Sequence, residues 1–139
     1  MKFVRIIFYA EVLLSFYAAV TDLINPSTFV SDYTHHRVTG IPLEMIRWYG
    51  VQLIPLVYLE FSALWSQRDD RLAWVLGAFL MGDVLQIYST VNYMFKHPAT
   101  HWTGGFILSL VVVIILAIVR IYWLLQYRAQ NVNKKLVPA

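Results

Sequence analysis

Glu11, Glu60 and Asp83 have the most chemistry to offer in this chain. Each lies in a stretch that is otherwise apolar: FYAEVLLSF, PLVYLEFSAL and FLMGDVLQIY. A charge deep in a bilayer costs at least ~2.5 kcal/mol, so a carboxyl kept there serves an interhelical bond, a cavity or a reaction. A carboxyl in apolar surroundings favours its neutral form, and a neutral acid can donate a proton. Asp83 and Glu11 therefore have two readings. In one they tie helices together, protonated or paired with Gln or Tyr, through bonds that average ~0.6 kcal/mol in membranes. In the other Asp83 is a general acid and Glu11 its partner, with Gln52 and Gln86 as orienting groups. Glu60 reads as a shallower residue that snorkels toward Arg68 or Arg71, or else lends itself to substrate binding.

Spacing groups further polar residues with these. Glu11, Ser15 and Asp22 return to nearly one helix face, as do Asp83, Gln86 and Thr90. Tyr49, Gln52 and Leu56 share a face, and Glu60 lies part of a turn away. At a rise of ~1.5 Å per residue, Asp83 falls near the midplane, Glu11 slightly to the cytoplasmic side, and Glu60 within ~8 Å of the cytoplasmic end. Gln52 and Gln86 share a level in the outer half. The simplest packing collects Glu11, Gln52, Asp83 and Gln86 in an interior pocket, whose outer mouth is lined by Asp22, Arg47 and the first loop. Arg47, just ahead of Trp48 and Tyr49, serves as an interfacial anchor pairing with Asp22 or Glu44, or as a reader of anionic head groups. His35, His36, His97 and His101 fall in outer loops. No helical HxxxH or HxxE spacing supports a metal site, and no metal or other cofactor is expected.

Long apolar elements must position these groups. The 139 residues are 59% hydrophobic and 14% charged, against about 25% charged for a soluble domain. A helical span needs ~20 mostly apolar residues. Four segments meet that: Phe3–Ile24, Leu43–Trp65, Leu72–Met94 and Trp102–Leu125. Lipid leaves no partner for open strand edges, so the spans are helices. Pro55 leaves the carbonyl four residues earlier without a donor, a cause for a kink in the second span. Short links, SQRDDR and FKHPATH, make antiparallel neighbours; PSTFVSDYTHHRVTGIPL forms a longer first connection. Trp and Tyr gather at span ends as an aromatic belt. Lys2, Arg5, Arg68, Arg71, Arg120, Arg128, Lys134 and Lys135 fall on one side, and Arg37, Arg47 and Lys96 on the other. The positive-inside rule then places both termini in the cytoplasm. The first span, interrupted by Glu11 and followed by no small-x-small site, does not read as a cleaved signal peptide. Without cysteine there is no disulfide, thiolate nucleophile or cysteine metal site. The net charge of +3 comes from loop cations and makes no nucleic-acid surface. There is no phosphate-binding glycine loop and no serine elbow. Gly104–Gly105, and Gly82 beside Asp83, suit close helix packing.

The order AEVLLSFYAA–NPSTFV, RWYGVQLIPLVYLEFSAL, DDRLAWVLGAFLMGDVLQIYS and a final span led by HWTGG resembles a group of small four-helix membrane proteins of unknown function, common in fungi and with bacterial relatives. Its members similarly carry an acidic residue early in span one, a Gln-bearing second span, and an Asp followed by a polar residue in span three. The resemblance covers most of the chain. A looser similarity is to the EXPERA fold of emopamil-binding sterol isomerases and sigma-2-type receptors, which implies acidic residues on spans one and two around a lipophilic cavity. Asp22 before Pro26, and Glu60, match that pattern in kind. The chain departs from it in being shorter and in placing Asp83 where a histidine or hydroxyl would stand. DoxX-like proteins share the four-span layout, but their glycine–lysine feature in span one is missing here.

The expected structure is an all-α, four-helix transmembrane bundle of up-down topology, a single polytopic domain over residues 1–139 with both termini cytoplasmic. It would lie in the endoplasmic reticulum if eukaryotic and in the inner membrane if bacterial. The expected function is binding of a lipophilic small molecule, isoprenoid or sterol-like, in an intramembrane polar cavity, with acid–base isomerisation or cyclisation as its chemistry. Asp83 and Glu11 would be catalytic, with Gln52, Gln86, Tyr49, Asp22, Arg47 and Glu60 binding the substrate. The partners are that small molecule or lipid and the membrane itself, with no nucleic acid, and with self-association or a larger membrane complex open. The competing expectation is a non-enzymatic scaffold, assembly factor or accessory subunit. A proton-coupled transporter is a third, which four spans without repeats could build only by oligomerising.

Overall fold

The computed structural model describes residues 2–33, 39–97 and 102–136, with side chains described at 3–30, 39–97 and 102–132. Among these residues the chain is all-α, with no strand. Its helices are α1 (Lys2–Ile24), α2 (Pro26–Tyr33), α3 (Ile41–Trp65), α4 (Asp69–Lys96) and α5 (Gly104–Leu136).

The boundaries have local causes. α1 stops at Asn25-Pro26, because a proline cannot supply the amide that continues a helix. Pro26 is instead well suited to open the next helix, where its amide would be unpaired anyway. The first connection, expected as a loop, is therefore partly helical: Pro26–Tyr33 forms α2. Gly40, at φ 73°, turns the chain into α3, whose first turn carries Glu44, a charge that suits the positive end of the helix dipole. α3 continues through Pro55 to Trp65. A two-residue turn follows, with Gln67 in the left-handed region at φ 52°. Asp69 and Asp70 then open α4, and Lys96 lies in its last turn, both favourable to the dipole. Thr103 caps α5 by accepting the Phe106 amide at 3.1 Å. α4 and α5 run past the expected spans, ending at Lys96 and Leu136 rather than Met94 and Leu125.

Three of these helices are long and apolar enough to cross a membrane: α1 over Phe3–Ile24, α4 over Asp69–Lys96 and α5 over Gly104–Val132. The chain is a membrane protein. α3 has the length, but Glu44, Arg47, Gln52 and Glu60 lower its apolar content, and it falls outside that group. Large apolar side chains point outward: Leu13, Tyr17, Tyr58, Trp74, Leu85 and Ile118 are each exposed. In water this surface would aggregate, whereas hydrocarbon is its natural solvent.

α1 packs along α3, and α4 along α5; α3 also meets α4, and α2 folds against α1, α3 and α5. The α1–α3 crossing is tight at Gly50, where a β-carbon would come within 2.8 Å of the Ala19 carbonyl oxygen and 3.1 Å of Asp22 Cβ. Phe8, Val12, Val57, Ala63, Leu64, Leu72, Leu76 and Trp123 form the apolar core, toward the N-terminal end of α1. At that end Arg5 reaches the Asp69 carboxylate at 2.5 Å and the Leu64 and Gln67 carbonyls at 3.4 Å each. It thus ties the start of α1 to the α3–α4 turn. Partly exposed ion pairs contribute little, so Arg5→Ala is expected to cost no more than about 1 kcal/mol, read as a small fall in the thermal midpoint in detergent.

Candidate functional site: a buried charge cluster

Each of the four long helices, α1, α3, α4 and α5, brings one ionisable side chain to a common buried centre. The buried faces repeat at helical spacing: Phe8, Glu11, Val12, Ala19 and Asp22 on α1; Gly50, Val57, Glu60 and Leu64 on α3; Leu72, Leu76 and Asp83 on α4; Ala117, Arg120 and Trp123 on α5. Each stripe contributes one charge-bearing residue to a common centre, Glu11, Glu60, Asp83 and Arg120; Asp22, further along α1, stays apart from it.

Arg120 is the hub. It is 1% exposed, and its guanidinium donates from Nη1 to Asp83 Oδ2 and from Nη2 to Glu11 Oε1. A planar fork suits this task, because its two nitrogens can serve carboxylates on two different helices at once. The Phe79 ring centroid lies 5.3 Å from the guanidinium carbon, a cation–π contact from the turn of α4 before Asp83. Trp123, one turn along α5, is also buried and stacks on Tyr127 at 5.5 Å between centroids.

Glu60 completes the cluster from α3. It has no exposed surface, and its carboxyl lies within hydrogen-bonding reach of Glu11. Both Glu60 oxygens and Glu11 Oε2 nonetheless lack a donor. Ionised carboxylates only accept, so two of them cannot bond to each other without a proton between them. The cluster therefore sets three carboxyls against a single guanidinium.

The structure rearranges several expectations. Glu11 and Asp83 are brought together as expected, but through Arg120 rather than directly. Arg120 itself, which the sequence places among the cytoplasmic cations, is buried between α1 and α4. Its position beside Tyr122 and Trp123, at the end of an apolar run, mimics a membrane boundary, but its side chain is buried and bonds carboxylates on two other helices. Arg120 directly follows the apolar run LSLVVVIILAIV, but Tyr122 and Trp123 beside it give the same pattern as a membrane boundary, so the sequence alone does not separate the two readings. Glu60 does not snorkel and does not pair with Arg68, which bonds Asp70 at 2.7 Å. The Glu60 side chain turns inward, against the facing carboxyl on α1.

Gln52 and Gln86 are both exposed rather than interior. The buried faces of α3 and α4 follow Val57–Glu60–Leu64 and Leu72–Leu76–Asp83, and these glutamines fall off them. Asp22 is 2% exposed, packed where Gly50 crosses α1, and so does not line an open mouth. Arg47 pairs with Glu44 on its own helix. His97 stacks on Tyr93 at 4.3 Å between ring centroids. His35, His36 and His101 lie outside the described residues, as does Arg37.

Tyr49 and Gln86 meet elsewhere, in an open groove of about 500 Å³ lined also by Phe29, Met45 and Ile46. α2, α3 and α4 build it, and Gln86 lies one helical turn from Asp83. Among the described residues no group of His, Asp or Glu is placed to hold a metal ion. No family model, no curated protein and no solved structure matches the chain.

Proposed function

We propose that the chain is a four-span integral membrane protein, with α3 as the remaining span and both termini cytoplasmic, that binds a lipophilic small molecule of isoprenoid or sterol-like type. The groove carries this reading: about 500 Å³ falls within the ~300–1,000 Å³ usual for ligand sites. Phe29, Met45 and Ile46 supply apolar walls, and the Tyr49 hydroxyl and Gln86 amide supply orienting polar groups. The likeness of the spans to the EXPERA layout accords with it. Acid–base isomerisation or cyclisation would draw its proton from the carboxyl cluster that Asp83, one turn from Gln86, joins, where burial keeps water from competing.

Met45→Trp tests the site by filling the groove from its wall. Lipid-soluble molecules extracted from the purified protein, read by mass spectrometry, are expected to include a sterol- or isoprenoid-class compound that the variant loses, with the thermal midpoint unchanged. A wild-type protein that yields no such compound, and that takes up no photoactivatable sterol or isoprenoid probe, overturns the reading.

A specific observation favours a second function, that of scaffold or accessory subunit. Gln52 is exposed about eleven residues into α3, roughly 16 Å along it at 1.5 Å per residue. An amide facing hydrocarbon gains a hydrogen bond by meeting another helix. Since the chain has no cysteine, Gln52→Cys gives a unique cross-linking site. Cross-linking to a second copy or a co-purifying protein would favour this alternative.

A further inference from the structure

We propose that Glu60 and Glu11 hold one exchangeable proton between them, making the centre of the bundle a proton-binding site. The charge count carries the argument. Arg120 commits one nitrogen to Asp83 and another to Glu11 Oε1. No nitrogen of Arg120 bonds Glu60, whose two oxygens are buried with no donor; the guanidinium Nε is itself buried without a partner and does not reach them. Glu11 Oε2, the oxygen Arg120 does not take, is likewise buried and without a donor. A bare carboxylate so enclosed pays the full desolvation penalty without a counter-charge. One proton removes that difficulty twice over: it cancels the excess charge on the pair and converts two acceptors into a donor and an acceptor.

All the ionisable groups facing Glu60 are in view: Glu11 from α1, Asp83 from α4 and Arg120 from α5. Asp83 and Glu11 are tied to the arginine, so Glu60 is the residue free to carry the proton. Access is graded. Glu60 has no exposed surface, whereas Glu11 and Asp83 are 9% and 8% exposed, so a proton reaches Glu60 only past these neighbouring carboxyls. Phe8, Val12, Val57 and Leu64 seal the side toward the N-terminal end of α1. A metal ion does not substitute, since the described residues offer no such ligand set.

Infrared difference spectroscopy of the full chain in lipid bilayers tests this directly, independently of any ligand. The wild-type protein is expected to show a protonated-carboxyl C=O stretch at neutral pH that shifts in D2O. Glu60→Gln, which reproduces the shape and donor of the protonated acid, is expected to abolish that band while keeping the wild-type thermal midpoint. A wild-type spectrum without the band, or a band that survives Glu60→Gln, overturns the proposal. Should that variant not accumulate, Glu60→Asp, expected to shift the band without removing it, makes the same assignment, and an unshifted band overturns the proposal.

Discussion

Arg120→Ala is expected to destabilise the protein by about 3–5 kcal/mol, the usual cost of removing one partner from a buried ion pair. The substitution strips Asp83 and Glu11 of their donor and leaves both carboxyls at depth with no cation. The readout is the midpoint of unfolding in detergent together with the amount of protein recovered from membranes. Arg120→Lys is expected to fall between the two, because a single ammonium is a point charge that cannot fork between carboxylates on two helices. The informative companion is the triple variant Arg120→Met, Glu11→Leu, Asp83→Leu. Well-packed apolar replacement of a buried ionic group is often neutral or stabilising, by about 1–4 kcal/mol. Stability should therefore return while any function that uses the charges does not. A triple variant as unstable as Arg120→Ala would show that the cluster is needed for folding in a way packing cannot replace.

Gly50→Ala is expected to have the second largest effect. The added methyl would sit 2.8 Å from the Ala19 carbonyl oxygen and 3.1 Å from both Asp22 Cβ and the Leu23 amide nitrogen. Two of these neighbours are backbone and cannot swing aside, so α1 and α3 must separate. Overpacking of this kind costs about 1–3 kcal/mol. Gly77→Ala is the matched control. Its new methyl meets nothing within 4 Å, and alanine is up to ~1 kcal/mol better than glycine in a helix interior. Circular dichroism melts should show Gly50→Ala falling and Gly77→Ala holding or rising. Equal falls at both positions would mean that glycine is needed along these helices for some reason other than the α1–α3 approach.

The long helices were legible in the sequence because their signal is local. Twenty apolar residues closed by Asn25-Pro26, or opened by Asp69-Asp70, need no partner to be read. The chemistry at the centre was legible in its anions and not in its cation. Glu11 and Asp83 stand out against Leu, Val and Phe on either side. Arg120, flanked by Val119 and by Ile121-Tyr122-Trp123, has the neighbours of a membrane-boundary arginine. Only the meeting of α1, α3, α4 and α5 shows which way it faces. The same limit applied to Gln52 and Gln86. Helical periodicity groups residues on a face but does not say which face a neighbouring helix covers. For α3 that choice was made by Gly50, Val57 and Glu60, the side against α1. Gly50 could have been read as the contact point, since the close approach of two helix backbones favours a residue without a side chain.

Because Arg120 lies on the last helix, the chain makes its anions first and their cation last. α1, α3 and α4 leave the ribosome carrying Glu11, Glu60 and Asp83 before residue 120 has been synthesised. During that interval the helices already made hold carboxyls whose arginine partner has not yet been synthesised. α5 carries the remedy within its own apolar run, so the greasiest helix delivers the arginine.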